Sequence, residues 1–206
     1  GNCIMTTDAV GNKTYLSYDL QGKTISSKDA MGNVTKYNYT AGGKFIGETD
    51  ADGKAKEYGY NSNGYTVYEE DKLGNKTLYD YDEQNNLKSS TSPLNNTTKY
   101  QYDSNGNLTV VTDANGHTST YTYDGDGNIV GITDALGNSQ TYDYDKNGNI
   151  ISIKDNENNI SSFKYDDKGR KISETDNMGN TKLFTYDNKG NILSETDAAG
   201  STIHYQ

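Results

Sequence analysis

The chain repeats itself at an interval of 21 residues. The pattern that runs from Thr112 to Asp124 starts again at Thr133 and runs to Asp145. A fixed period indicates a repeat array rather than one or two compact domains. We therefore predict that residues 1–206 form a single array with a period of 21, cut from a longer one. Stepping the period through the chain, without insertion or deletion, reaches Tyr18, Tyr39, Tyr60, Tyr81, Tyr102, Tyr123, Tyr144, Tyr165 and Tyr186.

The composition agrees with a folded β-rich array. Hydrophobic residues make up 31% of the 206 residues, below the roughly 45–50% of typical globular domains. That shortage alone would favour disorder, but 19 tyrosines recur at a fixed phase, which a disordered chain has no reason to keep. Aromatic and Thr-rich segments between Gly, Asn and Asp are typical of short strands and tight turns.

The charge pattern argues against a nucleic-acid partner, and the short apolar runs argue against a membrane span. The net charge is -10 and Lys and Arg are not clustered, so the chain lacks the basic patch that a nucleic-acid surface needs. No apolar run approaches the roughly 18 residues of a membrane span. The first residues, from Gly1 to Met5, lack the basic and apolar regions of a secretory signal, so we expect any targeting signal to lie elsewhere.

Two turn signals occur in each repeat. One is Asp-Ala-x-Gly-Asn, as at 134–138, and the other is Tyr-Asp-x-x-Gly, as at 123–127. Asp favours the first position of a type I turn because its carboxylate accepts backbone N–H groups, and Gly closes the turn at positive φ. Asn tolerates that conformation too, so we expect it at Asn85, Asn95 and Asn158. The predicted turn glycines are Gly11, Gly22, Gly32, Gly43, Gly53, Gly64, Gly74, Gly106, Gly116, Gly127, Gly137, Gly148, Gly169, Gly179, Gly190 and Gly200.

The segments between the turns predict strands. Val34 to Tyr39 and Lys44 to Thr49 have ordinary strand length, and no segment has the 3.6-residue apolar period of a helix. The fold class is therefore all-β, an antiparallel meander of about nineteen short strands in a curled or spiralling sheet. The turn at Ser92 to Asn96 is the least regular, with the only Pro in the chain. We interpret it as a local softening, not a domain boundary, because the phase continues across it.

The odd period predicts a specific register. Tyrosines stay on one face only if the two turns of a repeat differ in loop-length parity. One solution makes Asp-Ala-x-Gly-Asn a three-residue loop with a Gly bulge and Asp-x-x-Gly a four-residue loop. It places Ile46 between Tyr37 and Tyr58, in aromatic to β-branched pairs worth about 0.2–1 kcal/mol each. The column equivalent to Ile46 is Ile25, Ile46, Val67, Lys88, Thr109, Val130, Ile151, Ile172 and Leu193.

The same register assigns the two faces of a strand. Thr35, Tyr37 and Tyr39 are expected on the packed face, and Lys36 and Asn38 on the other. Cross-strand packing is the favoured role of the tyrosines, and the alternative is an adhesive or sugar-binding surface, since Tyr offers an apolar ring and a hydroxyl. The structural repeat tyrosines are Tyr37, Tyr39, Tyr58, Tyr60, Tyr79, Tyr81, Tyr100, Tyr102, Tyr121, Tyr123, Tyr142, Tyr144, Tyr165 and Tyr186.

Catalytic, metal and cofactor sites are not indicated. Cys3 is the only cysteine, and a near-terminal thiol without a positioned partner is typically inert. His117 occupies the Asn slot of a turn, and His204 is far from it in sequence. The segment Asp124 to Asn128 resembles the start of a calcium loop but has Ile129 where Gly is required and Ala135 where Glu is required. We predict no enzyme activity, no metal and no cofactor.

The repeat resembles the YD repeats of the Rhs family. The matching residues are Tyr123-Asp124 followed by Gly127-Asn128, and Thr133-Asp134 followed by Gly137-Asn138. The resemblance covers essentially all of the chain, although Tyr39 and Tyr60 are not followed by Asp. It implies a long β-sheet that spirals into a hollow shell, which encloses a C-terminal toxin in insecticidal toxin complexes and Rhs effectors and forms an extracellular barrel in teneurins.

The resemblance also implies what this chain does. It implies a non-enzymatic structural segment of a secreted or cell-surface shell, with neighbouring YD repeats and an enclosed toxin domain as partners and glycans as the alternative ligand. The family's Arg- and Pro-rich core box and its Asp-Pro motif are absent, so its autoproteolysis cannot be assigned to any residue here. Unpaired sheet edges at Cys3 to Asp8 and at Ser201 to Gln206 predict edge-to-edge self-association.

Overall fold

Strands and turns alternate through the whole of the described chain. The computed structural model describes residues 3–205, with Cys3 described by its backbone, so its thiol and the predicted edge at Gln206 lie outside the described residues. These residues form twenty β-strands and no helix, each strand running antiparallel to its neighbours in sequence. The predicted all-β antiparallel meander is confirmed, with one strand more than the expected nineteen.

Contacts divide the chain into two units, Gly1–Lys99 and Tyr100–Gln206. The boundary falls inside β10 (Thr97–Tyr102), next to the irregular turn that contains Pro93. The single array of residues 1–206 stays a prediction. Unit 1 contains β1 Cys3–Thr7, β2 Lys13–Tyr18, β3 Thr24–Lys28, β4 Val34–Tyr39, β5 Phe45–Thr49, β6 Ala55–Tyr60, β7 Thr66–Glu70, β8 Lys76–Tyr81 and β9 Leu87–Thr91. Unit 2 contains β11 Leu108–Thr112, β12 Thr118–Tyr123, β13 Ile129–Thr133, β14 Ser139–Tyr144, β15 Ile150–Lys154, β16 Ile160–Tyr165, β17 Lys171–Thr175, β18 Thr181–Tyr186, β19 Ile192–Thr196 and β20 Thr202–His204.

Both kinds of turn have the same backbone structure. In the first, Asp134 N–H donates to the Asn138 carbonyl at 2.8 Å and Gly137 N–H donates to the Asp134 carbonyl at 3.0 Å. In the second, Asp124 and Asn128 make the first bond at 3.0 Å and Gly127 donates to Asp124 at 3.2 Å. The three-residue loop expected for Asp-Ala-x-Gly-Asn is therefore correct, and the four-residue loop expected for Asp-x-x-Gly is wrong.

The left-handed position of every turn is occupied as the turn chemistry requires. The sixteen turn glycines have φ values between 76° and 94°. Asn85, Asn95 and Asn158 adopt φ values of 67°, 61° and 66°, so the prediction that Asn replaces Gly at these positions is confirmed. Asn pays a smaller steric penalty there than other L-residues with a Cβ atom, because it tolerates the left-handed region.

A β-bulge, and not a difference between loops, accommodates the odd period. On β4 and β5, Tyr39 pairs with Phe45 and Asn38 pairs with Gly47, so Ile46 has no opposite residue. An extra residue on one strand changes the parity of the repeat and keeps the tyrosines on one face. The predicted register is therefore wrong. The same shift leaves out Ile25, Ile46, Val67, Lys88, Val130, Ile151, Ile172 and Leu193.

The bulge column lies on the side of the sheet away from the tyrosines. Lys88 Nζ is 3.4 Å from Asp80 Oδ2, and Asp80 alternates along β8 with Tyr79 and Tyr81. Side chains alternate between faces along a strand, so Asp80 and Lys88 share the face opposite these tyrosines. Because the backbone pattern repeats, the apolar members of the column, such as Ile151, have the same placement, and Ile151 is exposed.

On β4 the two faces differ in exposure as predicted. On β4, Thr35, Tyr37 and Tyr39 are partly covered, whereas Lys36 and Asn38 are exposed, which confirms the assignment of faces. Among the described residues no hydrophobic side chain is fully buried. Each unit therefore lacks a conventional core, and its stability depends on the strand ladder, the turns and contacts between neighbouring strands.

In most repeats a Gly or Ser occupies the position after the bulge, whereas Tyr68 and Val110 occupy the equivalent position in two repeats; sequence reasoning missed this preference. Gly47, Ser173 and Ser194, which are separated by multiples of the period, are buried. A Cβ atom added at Gly47, where φ is 151°, would lie 2.3 Å from the Lys56 carbonyl oxygen. At Gly47 the neighbouring backbone therefore approaches too closely for a Cβ atom. The signal available in the sequence is the 21-residue recurrence of Ser or Gly at Ser26, Gly47, Ser89, Gly131, Ser152, Ser173 and Ser194.

Candidate functional site: the tyrosine face

The tyrosine face is the side of the sheet that carries the two aromatic residues of each Tyr-x-Tyr pair, with Phe in place of the first Tyr at Phe163 and Phe184. The second tyrosine ends its strand and donates its hydroxyl to a backbone carbonyl 15 residues earlier, one strand back. Bonds of this kind, at 2.7–3.0 Å, join Tyr39 to Thr24, Tyr60 to Phe45, Tyr81 to Thr66, Tyr123 to Leu108, Tyr144 to Ile129 and Tyr186 to Lys171.

These bonds occur where the strand ladder is incomplete. The ladder between β3 and β4 pairs Ser26 to Lys28 with Val34 to Lys36 and does not extend to Thr24. The Tyr39 hydroxyl supplies a donor to the Thr24 carbonyl at 2.9 Å. Since half-buried backbone carbonyls need a partner, each such tyrosine closes a gap that the bulge opens. The second tyrosine therefore links consecutive strands beyond the reach of their backbone bonds.

The first tyrosine of a pair makes contacts that vary between repeats. The hydroxyls of Tyr37 and Ser27 are 3.0 Å apart, and Tyr79 donates to Glu69 Oε1 at 2.7 Å. In unit 2, Tyr121 lies opposite Ile132 and Tyr142 opposite Ile153. Pairs of an aromatic and a β-branched residue therefore exist, as predicted. The residues that form them differ from those of the expected register.

Ring contacts place Phe45 where Ile46 was expected. The Phe45 ring centroid is 6.5 Å from that of Tyr37, 5.7 Å from that of Tyr39 and 5.9 Å from that of Tyr58. The Tyr39 contact is edge-on at 66°, a favoured geometry for aromatic rings. The residue between Tyr37 and Tyr58 is therefore the aromatic residue that precedes the bulge.

The residue after the glycine of the Tyr-Asp turn covers the tyrosine 16 residues later in several repeats. The Lys44 ammonium lies 3.5 Å from the Tyr60 ring centroid, and the Arg170 guanidinium lies 4.8 Å from that of Tyr186. Tyr65 occupies the same position and places its ring 5.2 Å from that of Tyr81. Cations over aromatic faces are attracted to the ring. These contacts occupy ring surface that a ligand would otherwise use.

The turn carboxylates are committed to the turns. Asp124 Oδ1 accepts the N–H groups of Asp126 and Asn128 at 3.0 and 2.9 Å, and its Oδ2 accepts the Asn128 side-chain amide at 2.9 Å. The side-chain hydrogen bond from Asn128, followed by its backbone N–H, lowers the pKa of Asp124. The predicted role of Asp124 as a turn residue matches these bonds. Within residues 3–205, no group of three His, Cys, Asp or Glu side chains is placed to hold a metal.

The two histidines lie on different elements of unit 2. His117 Nδ1 is 3.0 Å from Asp113 Oδ2 and takes the place of the Asn amide in its turn. The hydrogen bond from His117 lowers the pKa of Asp113. His204 is exposed on β20, opposite Ser194. A groove of about 780 Å³ in unit 1 is lined by Lys23, Tyr39 and Glu57 among others, and its lining contains no His or Cys. The described residues form no helix, so none of them belongs to a helix that could span a membrane.

Comparisons with known proteins identify the repeat. A family model described as RHS Repeat matches residues 18–55, 81–118, 102–139, 123–160, 144–181 and 165–202. No curated protein matches the chain significantly.

Solved structures share the fold. The Tc holotoxin pore of Photorhabdus luminescens aligns with a TM-score of 0.55 at 15% identity, over 94% of this chain and 14% of that chain. The complex TcdB2-TccC3 gives 0.55 at 16% identity over 94% and 14%. The same complex without its hypervariable C-terminal region gives 0.55 at 16% over 90% and 13%. At these identities the likeness concerns the fold, and this chain spans about one seventh of those chains.

Proposed function

Because this chain belongs to the RHS-repeat family, we propose that it is a non-enzymatic wall segment of a secreted or cell-surface shell that encloses or displays another domain. The domain we expect is a toxin at the C-terminal end of the same polypeptide. The tyrosine ladder carries this proposal, since it ties each strand to the previous one by a side chain as well as by backbone bonds. A sheet whose strands are linked in this way can be lengthened by adding repeats, without a hydrophobic core, as a shell wall requires.

The fold comparison supports a wall role in particular. The solved chains that align with this one belong to Tc toxin complexes, and one of these complexes, TcdB2-TccC3, was also solved without its hypervariable C-terminal region. This chain covers only 14% of their length, so the enclosed domain and the secretion of the whole protein are part of the proposal. Repeat arrays of this sort add length by adding units, because each unit contacts only its neighbours.

The packing of the tyrosines favours the wall over the alternative of a glycan-binding array. Sugar recognition uses accessible aromatic faces together with free hydrogen-bonding groups. The hydroxyls of Tyr123 and Tyr144 are already donated to backbone carbonyls at 2.7 Å, and Lys44 covers the ring of Tyr60. Carbohydrate binding therefore stays a prediction, to be tested by glycan titration of the chain and of its Tyr121→Ala variant.

Limited proteolysis of the intact parent polypeptide tests the proposal. Mass spectrometry of the digest reports whether a segment downstream of the repeats resists protease and remains bound to them. We expect protection in the native protein and digestion once the array is unfolded with denaturant. As a matched control, the downstream segment expressed alone should be digested without denaturant. Digestion of that segment in the native parent at the rate of the control would contradict the wall role.

A further inference from the structure

Three exposed lysines of unit 1 form a diagonal stripe on the side of the sheet away from the tyrosine face. Tyr15 on β2 lies opposite Lys28 on β3, and Lys28 lies opposite Val34 on β4. Lys13 and Lys36 are two residues beyond these partners, so each is a diagonal neighbour of Lys28 at about 7–8 Å. The three lysines are 15 and 8 residues apart in the sequence, so only the strand register brings them together. We call Lys13, Lys28 and Lys36 the lysine stripe.

The charges of the lysine stripe have no partner within residues 3–205. Other lysines of these residues form ion pairs with carboxylates, as at Lys72, Lys76 and Lys88, whereas none of the stripe lysines forms one. Acidic residues outnumber Lys and Arg by 29 to 19 in the chain, so unpaired lysines are not explained by a shortage of carboxylates. Three unpaired cations on one surface produce a local positive potential that attracts anionic groups.

Tyr15 adds a free aromatic ring to the lysine stripe. Its side chain is 39% exposed, and within residues 3–205 its hydroxyl has no hydrogen bond and its ring has no aromatic or cation–π contact. Tyr123, in contrast, donates its hydroxyl to the Leu108 carbonyl. The repeat does not require an aromatic ring at the position of Tyr15, because no other repeat has Tyr or Phe there. The equivalent residues are Lys36, Glu57, Leu78, Lys99, Thr120, Thr141, Ser162, Leu183 and His204.

A groove of about 540 Å³ joins the Tyr15 ring to two of the lysines. Its lining includes Lys13, Tyr15, Lys28 and the turn residue Asp29. The Asp29 carboxylate accepts three hydrogen bonds within its own turn, so it is committed to the turn and forms no ion pair with the lysines. The two ammonium groups and the Tyr15 hydroxyl therefore remain available to a ligand in the groove.

The arrangement of charges and ring limits the chemistry of the ligand. The ends of the stripe are about 15 Å apart, two diagonal steps, so a single sulfate or phosphate ion cannot contact all three lysines. Three cations are few for a nucleic acid, whose affinity depends on neutralising many phosphates, and the net charge of -10 repels it. An apolar partner would remove water from three ammonium groups without supplying a counter-charge.

An extended sugar chain with acidic groups fits these requirements. Tyrosine offers an apolar ring and a hydroxyl to a sugar ring, and ammonium groups form charge-assisted hydrogen bonds with sulfate or carboxylate oxygens. We propose that Lys13, Tyr15, Lys28 and Lys36 bind an acidic oligosaccharide, with its acidic groups on the lysines and one sugar ring on Tyr15. This surface is separate from the tyrosine face, so the proposal does not depend on the wall role.

Isothermal titration calorimetry of the 206-residue chain with a heparin hexasaccharide tests the site. The titrations use a low ionic strength of about 50 mM, at which charge screening is weak. The stripe variant combines Lys13→Gln, Lys28→Gln and Lys36→Gln. Its matched control makes the same change of charge at exposed strand lysines that also lie away from the tyrosines, by combining Lys99→Gln, Lys154→Gln and Lys164→Gln. Circular dichroism verifies that every variant is folded.

The site predicts heparin binding that weakens as salt is raised and that needs both the charges and the ring. The stripe variant should bind at least about tenfold more weakly than the unchanged chain, and the control should stay within about twofold of it. Tyr15→Ala should weaken binding at least about fivefold, and Tyr15→Phe should weaken it less because it keeps the ring. Maltohexaose, a neutral hexasaccharide, should not bind.

Several results would overturn the site. Heparin could fail to bind, or the stripe variant and its control could bind it equally. Full binding by Tyr15→Ala would show that charge alone attracts the ligand. Equal affinity for a single-stranded oligothymidylate would identify a general polyanion surface, and tighter binding to phosphatidylserine vesicles than to heparin would identify a membrane surface.

Discussion

Deleting the Tyr123 hydroxyl measures how strongly one repeat is tied to the previous one. Tyr123→Phe keeps the ring and removes the donor that reaches the Leu108 carbonyl at 2.7 Å. A hydrogen bond of this kind contributes about 0.5–1.5 kcal/mol, and a carbonyl left without a donor adds to the loss. The site is half-buried, so water replaces part of the bond. We expect the free energy of unfolding to fall by about 1 kcal/mol.

A second bond and a matched control make the test specific. Tyr186→Phe removes the equivalent bond to Lys171, and the double variant should lose about 2 kcal/mol because the two sites are three repeats apart and share no partner. Tyr121→Phe is the control. Tyr121 lies two residues away on the same strand, and its hydroxyl has no hydrogen bond within residues 3–205. Its removal should change stability by no more than about 0.5 kcal/mol, as for most surface substitutions.

Urea unfolding followed by far-ultraviolet circular dichroism gives the comparison. Repeat arrays can lose cooperativity, so the denaturant slope must be equal in all variants before midpoints are compared. With a slope of about 2 kcal/mol per molar urea, a loss of 1 kcal/mol lowers the midpoint by about 0.5 M. Equal midpoints for Tyr121→Phe and Tyr123→Phe would refute the claim that the hydroxyl ladder supports the sheet.

Three further predictions concern the turns and the bulge. Gly127→Ala, at a φ of 85°, should lower the free energy of unfolding by about 1 kcal/mol in urea titration, whereas Asn85→Gly should leave it unchanged or raise it. Gly47→Val should cost more than Gly127→Ala in the same assay, because a Cβ would lie 2.3 Å from a backbone oxygen; an equal cost would contradict the close approach. Hydrogen bonds from Asn138 lower the pKa of Asp134 in the folded chain below its ordinary value of 3.8, so stability from this carboxylate is present above that value and lost as the pH falls through the folded pKa. Acid titration of unfolding should therefore be less steep for Asp134→Asn, and an identical profile would contradict the turn role of the carboxylate.

The turns could be read from the sequence because their chemistry is local. Asp124 and Gly127 define a complete turn within four residues, and the same two residue types recur with the period. The alternation of Lys36 and Tyr37 between faces follows from the two-residue period of any strand. The strands and the tyrosine face were therefore predictable without knowledge of the tertiary structure.

The strand register could not be predicted, because it depends on a bulge that no residue of the turns indicates. The parity argument correctly required one asymmetry per repeat, but the sequence does not say whether the loop or the strand contains it. Ile46 is β-branched and apolar, as a paired strand residue would be, yet it lies in the bulge and Phe45 takes its predicted place. The donation from Tyr39 to Thr24 occurs beside the equivalent bulge at Ile25, so it too could not be predicted from the sequence.

Electron cryomicroscopy of the intact parent polypeptide tests the central claim most directly. The wall role predicts that the repeats equivalent to residues 3–205 form a continuous single-layer sheet with density for another domain enclosed on one side. A sheet with solvent on both faces and no enclosed or displayed domain would contradict it.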